Sequence, residues 1–158
     1  MKHMTLCYPI FDGRVLLAMK KRDFGKGKWN GPGGKLQPGE TAKVACLRET
    51  EEETGARVVD LKYVGTIESV FEAQADWNNI CDVFVGSCRA EEAHETEEML
   101  PRWFAFDEVP YEQMWEDDRH WLPEVLKGGS VSKRFFYDAA GRLARIEELD
   151  LPSTPHIT

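Results

Sequence analysis

The run GKLQPGETAKVACLRETEEETGA from Gly34 to Ala56 constrains the chain more tightly than any other segment. From Thr41 to about Thr54 its residues are good helix formers, and Ala42, Ala45, Cys46 and Thr50 recur at three-to-four-residue spacing, so one helical face is small and apolar. The rest of the helix is acidic. Glu49, Glu52 and Glu53 fall at i, i+3 and i+4, where like charges on one stripe repel by roughly a few tenths of a kcal/mol per pair.

A hard divalent cation with oxygen ligands offsets that repulsion directly, and Mg²⁺ held by carboxylates plus phosphates is the usual pattern. Arg48, on a neighbouring face, can anchor one carboxylate by a bidentate pair. Taken alone, a glutamate stripe also reads as a solvated face. The flanking positions favour a site: Gly33-Gly34 permits close backbone approach to a ligand, Pro38-Gly39 makes a turn, and Gly55 sits where a helix C-terminal αL residue belongs.

The chain has 158 residues, of which 42% are hydrophobic, enough for one well-buried domain and too few for two comfortable ones. We expect a single domain over 1–158, with a frayed tail from about 150 to 158. No apolar run approaches the roughly 20 residues of a membrane span and the start MKHMTLCYPI lacks the apolar core of a signal peptide, so the expectation is a cytoplasmic protein without a membrane partner. Cys7, Cys46, Cys81 and Cys88 make no CxxC pair and read as reduced, buried thiols; His3, His94, His120 and His156 form no ligand cluster.

A formal charge of -8 argues against duplex nucleic acid as a partner. A small anionic ligand is compatible with it. The window Lys20 to Lys35 holds Lys20, Lys21, Arg22, Lys26, Lys28 and Lys35 against one acid, Asp23. A basic loop facing a metal site suits a nucleoside triphosphate; a solvated loop is the other reading of the same residues.

Thr5 to Phe11 and Val15 to Lys20 read as strands joined by the hairpin signal Asp12-Gly13. A Gly-rich loop then leads to the acidic helix. Further strands are expected at Leu61 to Val70, Ile80 to Cys88 and Arg102 to Phe106. A second helix is expected over Asp117 to Lys127, with Pro123 in its path, and a last hairpin from Lys133 to Tyr137 and Leu143 to Leu149. The order predicts an α+β fold, or an α/β/α sandwich on a mixed sheet.

One Gly, five residues, one Glu, seven residues and then Arg48-Glu49-Thr50-Glu51-Glu52-Glu53-Thr54-Gly55-Ala56 resembles the Nudix box, the signature of enzymes that hydrolyse nucleoside diphosphates linked to another group. Two other stretches, Leu17 to Arg22 with Phe24-Gly25 and Trp29-Asn30-Gly31, and Met114 to Asp118 with Trp121 and Pro123, resemble the MutT-homologue branch of that family, the 8-oxo-dGTP diphosphatases. The likeness runs from about Val15 to Phe136. It implies the Nudix fold, a partly antiparallel mixed sheet, and Mg²⁺-dependent cleavage of oxidised purine nucleoside triphosphates to the monophosphate and pyrophosphate, sanitising the nucleotide pool. Mn²⁺ is an alternative cation, and monomer and dimer are both open.

On this resemblance Glu52 and Glu53 are the main metal ligands. Glu49 is a further ligand or the base that activates water, and the Gly34 carbonyl is an extra ligand. Glu98 is a lower-ranked catalytic carboxylate, with an exposed loop acid as its other reading. Asn30, Asp117 and Asp118 match positions that hydrogen-bond the base, Trp115 a ring that covers it, Phe24 a pocket wall and Lys20 a basic residue close to the substrate. Asp117-Asp118 also reads as a helix cap, and Trp115 and Phe24 as core. Pro32, Ser69 and Cys81 depart from the branch, where two aromatics and a Met stand, so a smaller or reshaped pocket is expected. Other family substrates are a nucleotide sugar, ADP-ribose or a pteridine triphosphate; a catalytically silent nucleotide-sensing module is a further alternative.

Overall fold

A hairpin opens the chain. Strands β1 (Lys2–Phe11) and β2 (Arg14–Lys20) pair antiparallel around Asp12 and Gly13, both at positive φ as a type I′ turn requires. The structure is a computed structural model that describes residues 1–23 and 25–150. Phe24 and the expected tail from Leu151 onward therefore lie outside the described residues.

The remaining elements are β3 (Trp29–Asn30), β4 (Gly33–Lys35), α1 (Ala42–Thr54), β5 (Val59–Phe71), β6 (Asn79–Ser87), β7 (Met99–Ala105), α2 (Leu122–Leu126), β8 (Val131–Tyr137) and β9 (Leu143–Glu148). Single 3-10 turns sit between several of them. The strands join one mixed sheet in the order β3-β2-β1-β6-β5-β8-β9, with β4 added to β1 and β7 to β2. Pairs β1/β6 and β5/β8 are parallel and the others antiparallel.

Side chains alternate across a strand, and this alternation separates two cores. Tyr8, Val15, Leu17 and Val83 pack with Trp121, Leu122, Val125 and Leu126 of the α2 region. Their neighbours Cys7 and Phe84 pack with Ala42 and Cys46 of α1, and Leu16 packs with Ala56 and Cys88. One helix thus covers each face, which is the α/β/α sandwich expected from the order of elements. All four cysteines are buried and no disulfide joins them.

α1 begins and ends where its residues say it should. The Thr41 side chain accepts the Val44 N–H at 3.1 Å, and Gly55 closes the helix at φ 82° with its N–H on the Glu51 carbonyl. Its buried face is small, and the Thr50 and Thr54 hydroxyls donate to the carbonyls four residues earlier at 2.8 Å.

Two expectations are corrected. Asp117 to Lys127 is not one helix: a 3-10 turn over Asp118–His120 is followed by α2, and Pro123 sits in the first turn of α2, where its missing N–H has no partner to lose. The Gly-rich stretch before α1 is also more ordered than a loop, because β3 and β4 pair there with β2 and β1.

Leu122 is fully buried, so Leu122→Ala should lower unfolding free energy by about 2–5 kcal/mol, whereas Thr41→Ala should cost about 0.5–2 kcal/mol through the lost cap. Urea denaturation of the two variants measures both.

Candidate active site

The pairing of β4 with β1 brings the box into position. Met4, Thr5 and Leu6 lie opposite Lys35, Gly34 and Gly33. A Cβ on Gly33 would stand 2.0 Å from the Thr5 carbonyl oxygen, and one on Gly34 would stand 2.8 Å from the Glu49 carboxyl carbon. Only glycine lets β4 lie between β1 and the acidic face of α1.

Above these glycines the glutamates separate into distinct environments. Glu53 is half-buried and accepts the Gly33 N–H at 3.4 Å. Burial, then the charge of Glu49, pushes its pKa up to about 8. Glu49 accepts from Arg48 Nη1 at 2.9 Å. Glu52 turns outward, 60% exposed, with Arg48 Nη1 at 3.2 Å. Among the described residues no three acidic, His or Cys side chains converge as a ready cation cage. The donor set nonetheless fits a cation that keeps waters and substrate phosphates in its shell and takes only one or two protein carboxylates. Glu53 and Glu49 are hard oxygen donors whose mutual repulsion a positive charge would relieve.

Arg48 forms its bidentate pair with Glu40, not with a glutamate of α1. Nε and Nη2 donate to the two Glu40 oxygens at 2.6 and 2.8 Å, and Nη2 also reaches the Lys35 carbonyl at 3.4 Å. Arg48 holds Glu40 down to about 2. Glu40 is the single Glu between Gly34 and Arg48 in the box, so its spacing marked it; its task did not show until the side chains met.

On the α2 side of the sheet a cavity of about 470 Å³ opens, lined among others by Lys20, Lys28, Asn30, Glu53, Trp115, Asp117 and Asp118. Five residues expected near substrate from distant parts of the chain are thus brought together with one glutamate of α1. Asn30 Oδ1 accepts the Gly31 N–H at 2.9 Å and the Tyr8 hydroxyl at 3.4 Å, which orients the amide and leaves its NH₂ as donor. Lys28 Nζ lies 5.1 Å from the Trp115 ring centroid.

The two aspartates are buried and unlike each other. Trp121 Nε1 donates to Asp117 Oδ2 at 2.9 Å and the Tyr137 hydroxyl donates to Oδ1. Asp118 is 2% exposed and its Oδ2 has no hydrogen-bond partner among the described residues. Burial raises both pKa values; Asp117 is pulled back by its two donors, while Asp118 is driven well above the carboxylate range by burial and then by Asp117. Neither side chain makes a helix-cap bond: Asp117 has none where the 3-10 turn begins. Tyr137 was not among the expected site residues, since nothing local in the sequence ties the end of β8 to Asp117; Trp121, four residues after Asp117, stood in the resembling stretch without a role assigned to it.

Glu98 lies elsewhere: it is 63% exposed, paired with Arg22 at 2.8 Å, and does not line the cavity. Of the basic window, Lys20, Lys28 and Lys35 line the cavity, while Lys21 is engaged with Glu95 and the Thr96 carbonyl. Ser69 and Cys81 both line it, Pro32 does not.

The NUDIX domain profile matches residues 1–125. An oxidized purine nucleoside triphosphate hydrolase of Danio rerio is 43% identical over 134 residues, covering 85% of this chain and 83% of that protein. The protein of the same name from Mus musculus is 42% identical over 127 residues, with 78% of each covered. Among solved structures, a MutT mutator protein of Bacillus halodurans superposes with a TM-score of 0.81 at 26% identity, covering 98% of this chain and all of that one. No helix among the described residues is long and apolar enough to cross a membrane. With its box folded over β4 and its sequence matched along most of its length, the chain belongs to the NUDIX family of hydrolases.

Proposed function

We propose that this protein hydrolyses oxidised purine nucleoside triphosphates such as 8-oxo-dGTP to the monophosphate and pyrophosphate, clearing them from the nucleotide pool. The observation that carries the reading is the convergence of Asn30, Trp115, Asp117 and Asp118 with Lys20 and Glu53 on one cavity. The 43% and 42% identical relatives named as hydrolases of such nucleotides support it.

Mg²⁺, with Mn²⁺ as a substitute, would be held by the carboxylates of Glu52 and Glu53, with the Gly34 carbonyl as a further donor, which leaves Glu49 to act as the base. When bound, the cation neutralises charge building on the phosphate oxygens and makes a water more acidic. Glu49, held at Oε1 by Arg48, takes the proton of the attacking water. Lys20 and Lys28 face the phosphates and base from the cavity wall. Arg48 bridges Glu49 and Glu52 through Nη1 while Glu40 fixes its guanidinium.

At the other end, selection falls to polar groups on the base edge, because stacking on Trp115 does not choose a base. Asn30 donates through its amide. Asp118, whose protonated form is favoured by burial and by the neighbouring Asp117, donates a hydrogen bond to an acceptor on the purine, and Asp117, whose rise its two donors limit, accepts. Moving protons between the two lets one pocket take an oxidised guanine or an oxidised adenine.

The test is pyrophosphate release with Mg²⁺ across 8-oxo-dGTP, 2-oxo-dATP, dGTP, dATP and ADP-ribose. A strong preference for the oxidised nucleotides is expected, with Glu52→Gln or Glu53→Gln reducing turnover roughly 100-fold or more; turnover of ADP-ribose instead would discard the base-pocket reading, and no turnover of any would favour a nucleotide-sensing module. Asp117→Asn and Asp118→Asn should each lose discrimination between oxidised and ordinary purines, and unchanged kinetics in both would refute the proton-sharing role.

Glu40→Gln should cost about 10–100-fold in activity by loosening Arg48. Because Glu40 is depressed to about 2 from 4.5, its ionised pair contributes fully above 4.5 and is lost as pH falls through about 2. Asp118 has the opposite sign. Its folded pKa lies well above 3.8, so its contribution is complete below 3.8 and is lost as pH rises toward the folded value. Asp118→Asn, neutral at every pH, should melt about 2–8 °C above the parent at pH 8, with the gap closing toward pH 4 in thermal melts.

A further inference from the structure

The connection between β5 and β6 carries an indole that the base-pocket reading above does not use. Trp77 ends the 3-10 turn Ala75–Trp77, is 38% exposed and lines the same cavity as Trp115 and Asp118. Its backbone is held on both sides. The Trp77 N–H donates to the Gln74 carbonyl at 2.9 Å, the Asn79 side-chain amide donates to the Trp77 carbonyl at 2.9 Å, and Asn78 Oδ1 accepts the Phe71 N–H at 2.7 Å, tying the turn to β5.

The ring is also located. Trp77 meets Phe71 edge-on, with centroids 5.6 Å apart and planes at 83°, and Phe71 stacks on Tyr137 at 4.8 Å and 12°. Tyr137 donates to Asp117. An aromatic series therefore runs from the cavity wall to the carboxyl pair. Ser69, opposite Asn79 in the β5/β6 register, lines the same cavity and brings no ring to it. An indole held part-exposed on a cavity wall keeps apolar surface in water that a planar ligand would cover.

We propose that Trp77 is a specificity-determining residue, whose indole covers the purine of a nucleoside triphosphate in this cavity and supplies the aromatic surface that Ser69 does not. The inference rests on the base-pocket reading. Stacking is indifferent to the polar edge of a base but grows with its ring area. Trp77 therefore selects purine over pyrimidine, while Asn30 and the aspartates select among purines.

Binding of 8-oxo-dGMP by calorimetry without added metal, together with kcat and KM for 8-oxo-dGTP and dCTP, tests this. Trp77→Ala should raise Kd for 8-oxo-dGMP and KM for 8-oxo-dGTP about tenfold. The preference for 8-oxo-dGTP over dCTP in kcat/KM should fall by a similar factor, with kcat for 8-oxo-dGTP moving less than about twofold. Trp77→Phe should recover most of the loss, and so should Ser69→Phe added to Trp77→Ala. Unchanged Kd and KM in Trp77→Ala, or a loss that Trp77→Phe does not recover, overturns the role of Trp77 while the base pocket stands. Failure of the parent protein to bind 8-oxo-dGMP or turn over 8-oxo-dGTP overturns the base-pocket reading and this inference with it.

Discussion

Strand β1 pairs with three others, β2, β4 and β6, and both halves of the candidate site depend on these pairings. It runs parallel to β6 from Lys2 to Ile10, carries β4 antiparallel over Met4 to Leu6, and turns into β2 at Phe11. Because its side chains alternate, Cys7 faces α1 while Tyr8 faces α2 and bonds Asn30. The β4 pairing tolerates only glycine at 33, since a side chain there would meet the Thr5 carbonyl. A displaced β4 would carry Gly34 away from Glu49 and Gly33 away from Glu53.

Two acid pairs lie within this frame in a chain of formal charge -8, one half-buried and one buried, and each offsets its repulsion differently. Glu49 is held by Arg48 while Glu53 lines the cavity, and an added positive charge would relieve their mutual repulsion. Asp117 and Asp118 have neutral donors, Tyr137 and Trp121, on one member only. The second pair is relieved by retaining a proton. The phosphate end of the cavity is thereby suited to cation chemistry and the base end to hydrogen-bond selection.

Much of the fold was legible because its signals are local. The Thr41 cap, the small face at Ala42, Ala45, Cys46 and Thr50, and the Gly55 stop all act within a few residues, and α1 follows them. The period-two strands and the Asp12-Gly13 turn are equally local. The second helix was misread because Pro123 is an obstacle only inside a helix; in a first turn it is favourable, and choosing between the two needs the packing of Leu122 and Val125.

The candidate site divides along the same line. Residue identity and spacing along α1 were enough to put carboxylates on one face and to mark Glu40 and Arg48 as fixed positions, because a helix imposes its geometry on a sequence without outside help. Which carboxylate Arg48 grips, that Glu52 turns outward, that Glu98 pairs with Arg22 outside the cavity, and that Asp117 is held by Tyr137 were decided by tertiary structure. Those outcomes depend on burial and on which partner the fold supplies, 8 residues away for Arg48 and Glu40 and 76 for Arg22 and Glu98. The energy of a buried charge is set by whatever the fold brings beside it, and the order of residues alone does not specify that neighbour.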